Sequence, residues 1–205
     1  MDTSFLVQGL ILGFSIAAPV GPIGVLCIRR TLAVGPVAGL LSGLGAATAD
    51  AFYGAVAGFG LTFISTLLLT QQYWLAWVGG LYLLWLGAQM WRAAPPSTSA
   101  SPATGGGLAG AFLSTFFLTL TNPVTILSFA AIFAGMGLAA TAGDFTAAGA
   151  LVLGVFAGSA LWWFTLTTAV SLLKTKLRPD ALRWVNRVSG AVICGFGLFI
   201  LAGLL

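Results

Sequence analysis

Histidine is absent from this 205-residue sequence, Asp and Glu together number four, and charged residues make up 6% of the chain. No imidazole means no histidine metal site and no Ser–His or Cys–His nucleophile pair. So few charges cannot cover a water-facing surface, while 59% of the residues are hydrophobic and the mean hydropathy is +1.06. These values exclude an ordinary soluble domain and indicate an integral membrane protein. Cysteine is scarce as well: Cys27 and Cys194 stand alone in apolar surroundings, without CxxC spacing, and read as small buried hydrophobes. No Lys or Arg precedes the first apolar run, so the basic start of a cleaved signal peptide is missing. Residues 5–28 are therefore expected to be a retained transmembrane helix.

A helix needs about 20 apolar residues to cross the hydrocarbon core. The sequence offers six such stretches, at 5–28, 36–65, 73–91, 108–137, 145–172 and 182–204. Between the third and fourth lies AAPPSTSASPATGGG, a Pro, Ser, Thr and Gly linker without periodicity. All eight basic residues, Arg29, Arg30, Arg92, Lys174, Lys176, Arg178, Arg183 and Arg187, fall on one side of a six-span arrangement. By the positive-inside rule that side is cytoplasmic and both termini face outward. The net charge of +4 is thus read as topology, and no nucleic-acid partner is expected. Trp74, Trp77, Trp91 and Trp184 lie near span boundaries, as an aromatic belt requires; Trp162 and Trp163 are deeper, next to Ser159, where they could line a path, and lipid-facing packing is the preferred reading.

With three spans per half, the second half enters the membrane upside down relative to the first, and weak internal similarity accompanies this. Ala18, Pro19 and Val20 match Asn122, Pro123 and Val124; GAATADAFY at 45–53 matches GVFAGSALW at 154–162, placing Asp50 opposite Ser159; Gly80 and Gly87 match Gly190 and Gly197. The expected fold is an all-α membrane protein of six transmembrane helices in two inverted three-helix repeats. Residues 1–92 form the first repeat, 93–107 a flexible cytoplasmic linker, and 108–205 the second repeat.

Asp50 lies near the midpoint of the second span, where a charged side chain costs at least about 2.5–3.5 kcal/mol unless hydrated or paired. It could be a protonated packing residue, bind a substrate ammonium, or take up and release a proton. Pro19 and Pro22 each remove a helical hydrogen bond in span one, and Pro123 does the same in span four beside Asn122, which can donate and accept. Backbone freed at that depth must face protein or water, and matched broken helices in two halves point to a transporter site at the repeat interface. The many glycines, spaced about four apart as in GLLSGLGAATADAFYGAVAGFG, are packing faces and give no phosphate loop. No cofactor is expected. The basic cluster from Lys174 to Arg187 is read as a solvated, orientation-setting loop; Arg29 and Arg30 are read similarly, with a gating role open.

APVGPIGVLCIRRTLAVGPVAGLLSGLGAATADAFYG at 18–54, VGGLYLLWLGAQMWR at 78–92 and LTNPVTILSF at 120–129 resemble the LysE/RhtB family of amino-acid exporters, over essentially the whole chain. The resemblance implies a secondary transporter that exports amino acids or related zwitterions across a bacterial inner membrane, driven by an ion gradient. It places Pro19, Gly21, Pro22, Asp50, Asn122 and Pro123 at the transport path, and Tyr53 and Ser159 complete the candidate set. Many relatives have Pro, Gly, Pro in succession; here Val20 separates Pro19 from Gly21, and no carboxylate-binding Arg is evident in the path. Thiol electron carriers of the wider superfamily need a cysteine at each broken helix, and that chemistry fails on these residues; metal exporters need several membrane carboxylates or histidines, for which only Asp50 is available. The expected partners are a small amino-acid-like solute and the lipid bilayer, with a homo-oligomer open. The alternatives are a non-transporting membrane scaffold, in which Asp50 is a packing hydrogen bond, and an exporter of another solute such as a metal cation. An enzyme is not expected.

Overall fold

The computed structural model describes residues 3–19, 21–59, 70–92, 107–136, 144–174 and 179–203. These residues form eight α-helices and no strand: α1 Thr3–Ala17, α2 Pro22–Ala33, α3 Pro36–Gly58, α4 Gln72–Arg92, α5 Gly107–Leu120, α6 Pro123–Met136, α7 Phe145–Lys174 and α8 Pro179–Ala202. Helices stand at all six expected places, and the two proline-containing spans are each divided in two. Val20, the tail of the second span at 60–65, residues 93–106 of the linker, and Lys176 and Arg178 lie outside the described residues, as do the side chains of Lys174 and Arg183.

Proline stands at the starts of four helices, among them α2, α3 and α6. Pro22, Pro36 and Pro123 each occupy the first helical position, where the missing N–H would have had no partner and the ring's fixed φ already suits the helix. Before Pro36 the chain turns sharply through Gly35 at φ 131°, a left-handed value that a side chain would resist. The first span is bent by 79° between α1 and α2, and the fourth by 61° between α5 and α6. The expectation that the first span closes at Ile28 needs correction. After the break α2 continues to Ala33, so Arg29 and Arg30 are helical residues of the bundle and not members of a solvated loop.

Glycine lets the helices meet backbone to backbone. A side chain at Gly9 of α1 would strike the Leu151 carbonyl of α7, and one at Gly13 would strike the Val155 carbonyl. A side chain at Gly45 of α3 would meet the Phe112 carbonyl of α5. The α1 contacts advance together along both chains, so α1 runs parallel to α7; α3 runs parallel to α5, since Gly45 meets Phe112 and, further along, the Tyr53 hydroxyl reaches the Leu120 carbonyl. Gly54 faces Val155 while Gly43 faces Trp163, so α3 and α7 are antiparallel; Gly80 faces Gly197 and Gly87 faces Gly190, so α4 and α8 are antiparallel too. Close approach of this kind replaces the hydrophobic driving force that helices lack inside a bilayer.

By length and apolarity α3 and α7 can each cross a membrane, and each bent pair does so when taken as one span. The outer surface carries large apolar side chains such as Val7, Ile11, Trp85 and Phe117. Trp74, Trp77, Trp91 and Trp184 are also exposed, in keeping with a boundary belt.

Candidate functional site

Both helix breaks face the same cavity. It has a volume of about 270 Å³, and its wall includes Pro19, Gly21 and Pro22 from the first break, Asp50 from α3, and Asn122 from the second break. Five of the eight residues singled out from sequence therefore meet at one place. Drug-sized ligands occupy pockets of about 300–1,000 Å³, so this space suits a small metabolite. It shares Val124, Phe199 and Ile200 with the wall of a second cavity of about 290 Å³, which is lined by Pro123 and reaches Tyr73 at the start of α4 and Gly203 at the end of α8.

Asp50 is 3% exposed and is the one ionisable side chain in the wall of the first cavity among the described residues. Behind it stands Ser159, fully buried on α7, whose hydroxyl donates to Asp50 Oδ2 at 2.7 Å. The Trp163 Nε1–H in turn donates to Ser159 Oγ at 3.1 Å. An indole nitrogen can only donate, so the bond from Trp163 occupies an acceptor position on Ser159 and directs the serine proton to Asp50. Trp163 also lines the cavity and is 3% exposed, which corrects its reading as a lipid-facing residue; Trp162 packs edge-on against Phe14 of α1.

Tyr53 does not reach the wall. One turn beyond Asp50, its hydroxyl donates to the Leu120 carbonyl at 2.6 Å and its ring stacks on Phe129 at 5.2 Å, which ties α3 to the second broken helix. It is a brace for the break and not a lining residue. Ser159 likewise acts from behind Asp50.

The two breaks satisfy their backbone differently. Asn122 caps α6: its Oδ1 accepts from Val124 N–H at 3.1 Å, and its own N–H reaches the Thr119 carbonyl at 3.2 Å, the carbonyl that Pro123 would otherwise leave free. Gly21 takes the capping position of α2 with no side-chain hydrogen bond, and a side chain placed there would meet nothing within 4 Å. The first turn of α2, with Gly21, Ile23 and Gly24 in the cavity wall, thus presents backbone N–H groups that no side chain caps.

Sequence reasoning passed over the rest of the wall. Thr119, Thr125 and Ser128 flank the second break on α5 and α6, and the hydroxyls of Thr119 and Ser128 donate to carbonyls one turn back, at 2.9 and 2.7 Å. Their oxygens remain available as acceptors. Phe196, Phe199 and Ile200 of α8 supply an apolar side. The signal for the hydroxyl residues was present in LTNPVTILS, where polar residues recur at helical spacing around Asn122 and Pro123.

Residues 14–203 match the family model described as LysE type translocator. The chain is 28% identical over 194 residues to YcgF of Bacillus subtilis (strain 168), provisionally named as an amino acid efflux protein; the match covers 93% of this chain and 91% of that protein. It is 31% identical over 134 residues to the threonine efflux protein of Escherichia coli (strain K12), covering 60% of this chain and 61% of the relative. With the homoserine/homoserine lactone efflux protein of Salmonella typhimurium (strain LT2) the identity is 38% over 102 residues, or 49% and 46% of the two chains. No solved structure matches the chain. Since the family match spans nearly the whole length, and the helices it covers are apolar enough for a membrane, this chain belongs to the LysE type translocator family of membrane transport proteins.

Proposed function

We propose that the protein exports neutral amino acids, or small zwitterions like them, across the bacterial inner membrane in exchange for protons. The observation that carries this reading is that Asp50 shares one small cavity with the uncapped start of α2. A zwitterion has two charges to place. Its carboxylate is matched by the N–H groups and positive dipole end of α2, and its ammonium by Asp50. A side chain can lie between the hydroxyls of Thr119, Thr125 and Ser128 and the apolar Phe196, Phe199 and Ile200. The names of the relatives, efflux proteins for threonine and homoserine, agree with a neutral solute.

Coupling follows from having one carboxylate for two cations. While Asp50 holds a proton it cannot pair with an ammonium, so proton entry and amino-acid exit alternate on the same group. Alternating access supplies the motion. The running directions of the helices support two inverted repeats, α1 to α4 and α5 to α8, because the parallel pair α1 with α7 has its counterpart in α5 with α3. Asp50 and Ser159, the matched positions, touch across the relation between the halves. In this arrangement α4 and α8 are the third and sixth spans, the basic end faces the cytoplasm and both termini face outward.

Efflux of labelled amino acids from proteoliposomes of the purified protein tests the reading. Neutral amino acids should leave when a proton gradient opposes them, and lysine, glutamate and divalent cations should not. Flux of a cation alone, or no amino-acid flux under any gradient, would overturn it.

A further inference from the structure

The Arg30 guanidinium is turned into the bundle near the end of α2. Its Nη1 donates to Ser42 Oγ of α3 at 2.8 Å, and to the Ala111 carbonyl and Thr115 Oγ1 of α5 at 2.9 and 2.8 Å; Nη2 donates to Ser114 Oγ at 2.7 Å. Every one of these acceptors is neutral, and three of the four lie on α5, beyond the linker between the halves. The cluster is assembled: Ser42, Ser114 and Thr115 pass their own hydroxyl protons to carbonyls of their own helices, which leaves their oxygens facing the guanidinium.

The position of this cluster is what gives it a role. Ala46 on α3 and Thr119 on α5 line the cavity, and Ser42 and Thr115 lie four residues before them, about one turn or 5.4 Å along each helix. On α2, Pro22, Ile23 and Gly24 line the cavity and Arg30 follows about two turns later. Three of the helices that wall the cavity therefore converge just beyond it on one side chain, at the end of the bundle where α2 finishes and α3 and α5 begin. On its other side the cavity shares Val124, Phe199 and Ile200 with the second cavity, whose wall reaches Tyr73 and Gly203. Arg30 thus stands between the cavity and the basic end of the bundle.

We propose that Arg30 is the latch of the transport path at its basic end. It holds α5 of the second half against α2 and α3 of the first, and the path opens to that side when the guanidinium leaves Ser114, Thr115 and the Ala111 carbonyl. Neutral acceptors suit a latch, because a charge-assisted bond to a hydroxyl or carbonyl is strong enough to hold yet lacks the buried counter-charge that would make release costly. The inference rests on the transport reading only in needing a path; it does not depend on which solute uses it.

The test follows access to the cavity from each side. In a background with Cys27→Ala and Cys194→Ala, Ser128→Cys places a thiol in the cavity wall with little change of shape. A membrane-impermeant thiol reagent is applied to oriented vesicles from the basic-end side or the opposite side, with no solute present. With Arg30 intact, labelling should come from the opposite side. Arg30→Gln should raise the basic-side rate by about tenfold or more, what one charge-assisted hydrogen bond is worth, and Arg30→Lys should fall between the two. Ser114→Ala with Thr115→Val, which keeps Arg30 and loosens only the α5 side, should shift access in the same direction; it carries the test if Arg30→Gln fails to insert. Unchanged basic-side labelling in the folded variants overturns the latch, as does equal labelling from both sides with Arg30 intact. Loss of amino-acid efflux with this labelling pattern preserved counts against the proposed function and leaves the latch standing.

Discussion

The two helix breaks hold matching places in the chain, yet they solve the same backbone problem in opposite ways. At the second, Asn122 spends its side chain on Val124 N–H and its own N–H on the Thr119 carbonyl, so the break is closed on itself. At the first, Gly21 caps α2 with backbone alone and has empty space where a side chain would sit. A helix start whose N–H groups lack a side-chain partner, beside a buried carboxylate, can receive an outside acceptor. A capped start cannot without losing its cap. Proline breaks a helix, but the residue before the new first turn decides whether the freed N–H groups are left open to an outside acceptor.

The largest effect expected from disturbing this arrangement is at Asp50, which both steps of the proposed exchange require. Asp50→Asn keeps shape and the Ser159 contact but can neither ionise nor pair with an ammonium, so proton-driven efflux in proteoliposomes should vanish while the inserted, folded protein persists; undiminished efflux would remove Asp50 from the mechanism. Next comes the open break. Gly21→Asn should supply α2 with the cap that Asn122 gives α6, raising KM for efflux by about twofold, the equivalent of the few tenths of a kcal/mol by which an Asn cap exceeds glycine. The same variant should hold or slightly raise the thermal midpoint, so a fall in stability with unchanged KM would break the contrast. Asn122→Ala should show the reverse: a loss of about 1 kcal/mol in stability, read from thermal unfolding in detergent, with a smaller change in KM than Gly21→Asn, and recovery in Asn122→Asp. The smallest effect is expected at Asp144, an exposed cap that accepts from Thr146 and Ala147 N–H at 2.9 and 3.0 Å at the start of α7. Asp144→Ala should cost less than about 1 kcal/mol and leave efflux kinetics alone.

Much of the site could be read from sequence because its residues are costly in a membrane. Prolines inside apolar runs and one mid-span carboxylate stand out against hydrocarbon, and their spacing already aligned Asp50 with Ser159, which the structure brings to 2.7 Å. Tyr53 was expected beside them for its closeness in sequence, yet its orientation on α3 sends it to Leu120 and Phe129. Trp163 was hidden for a different cause, since an aromatic in an apolar helix gives no sign of which face it takes. Arg30 was read mainly as topology, with a gating role open, because basic residues near span ends usually mark orientation. Its helix runs past Ile28 to Ala33, and its acceptors are ordinary Ser and Thr residues 12 to 85 positions away, a cluster that only tertiary packing assembles.

If one carboxylate serves proton and ammonium in turn, their movements must be tied. Proton entry and the exit of a neutral amino acid such as threonine, recorded together in wild-type proteoliposomes, should rise and fall in step, with equal numbers of protons and amino acids exchanged. Amino-acid efflux without accompanying proton entry would contradict the account.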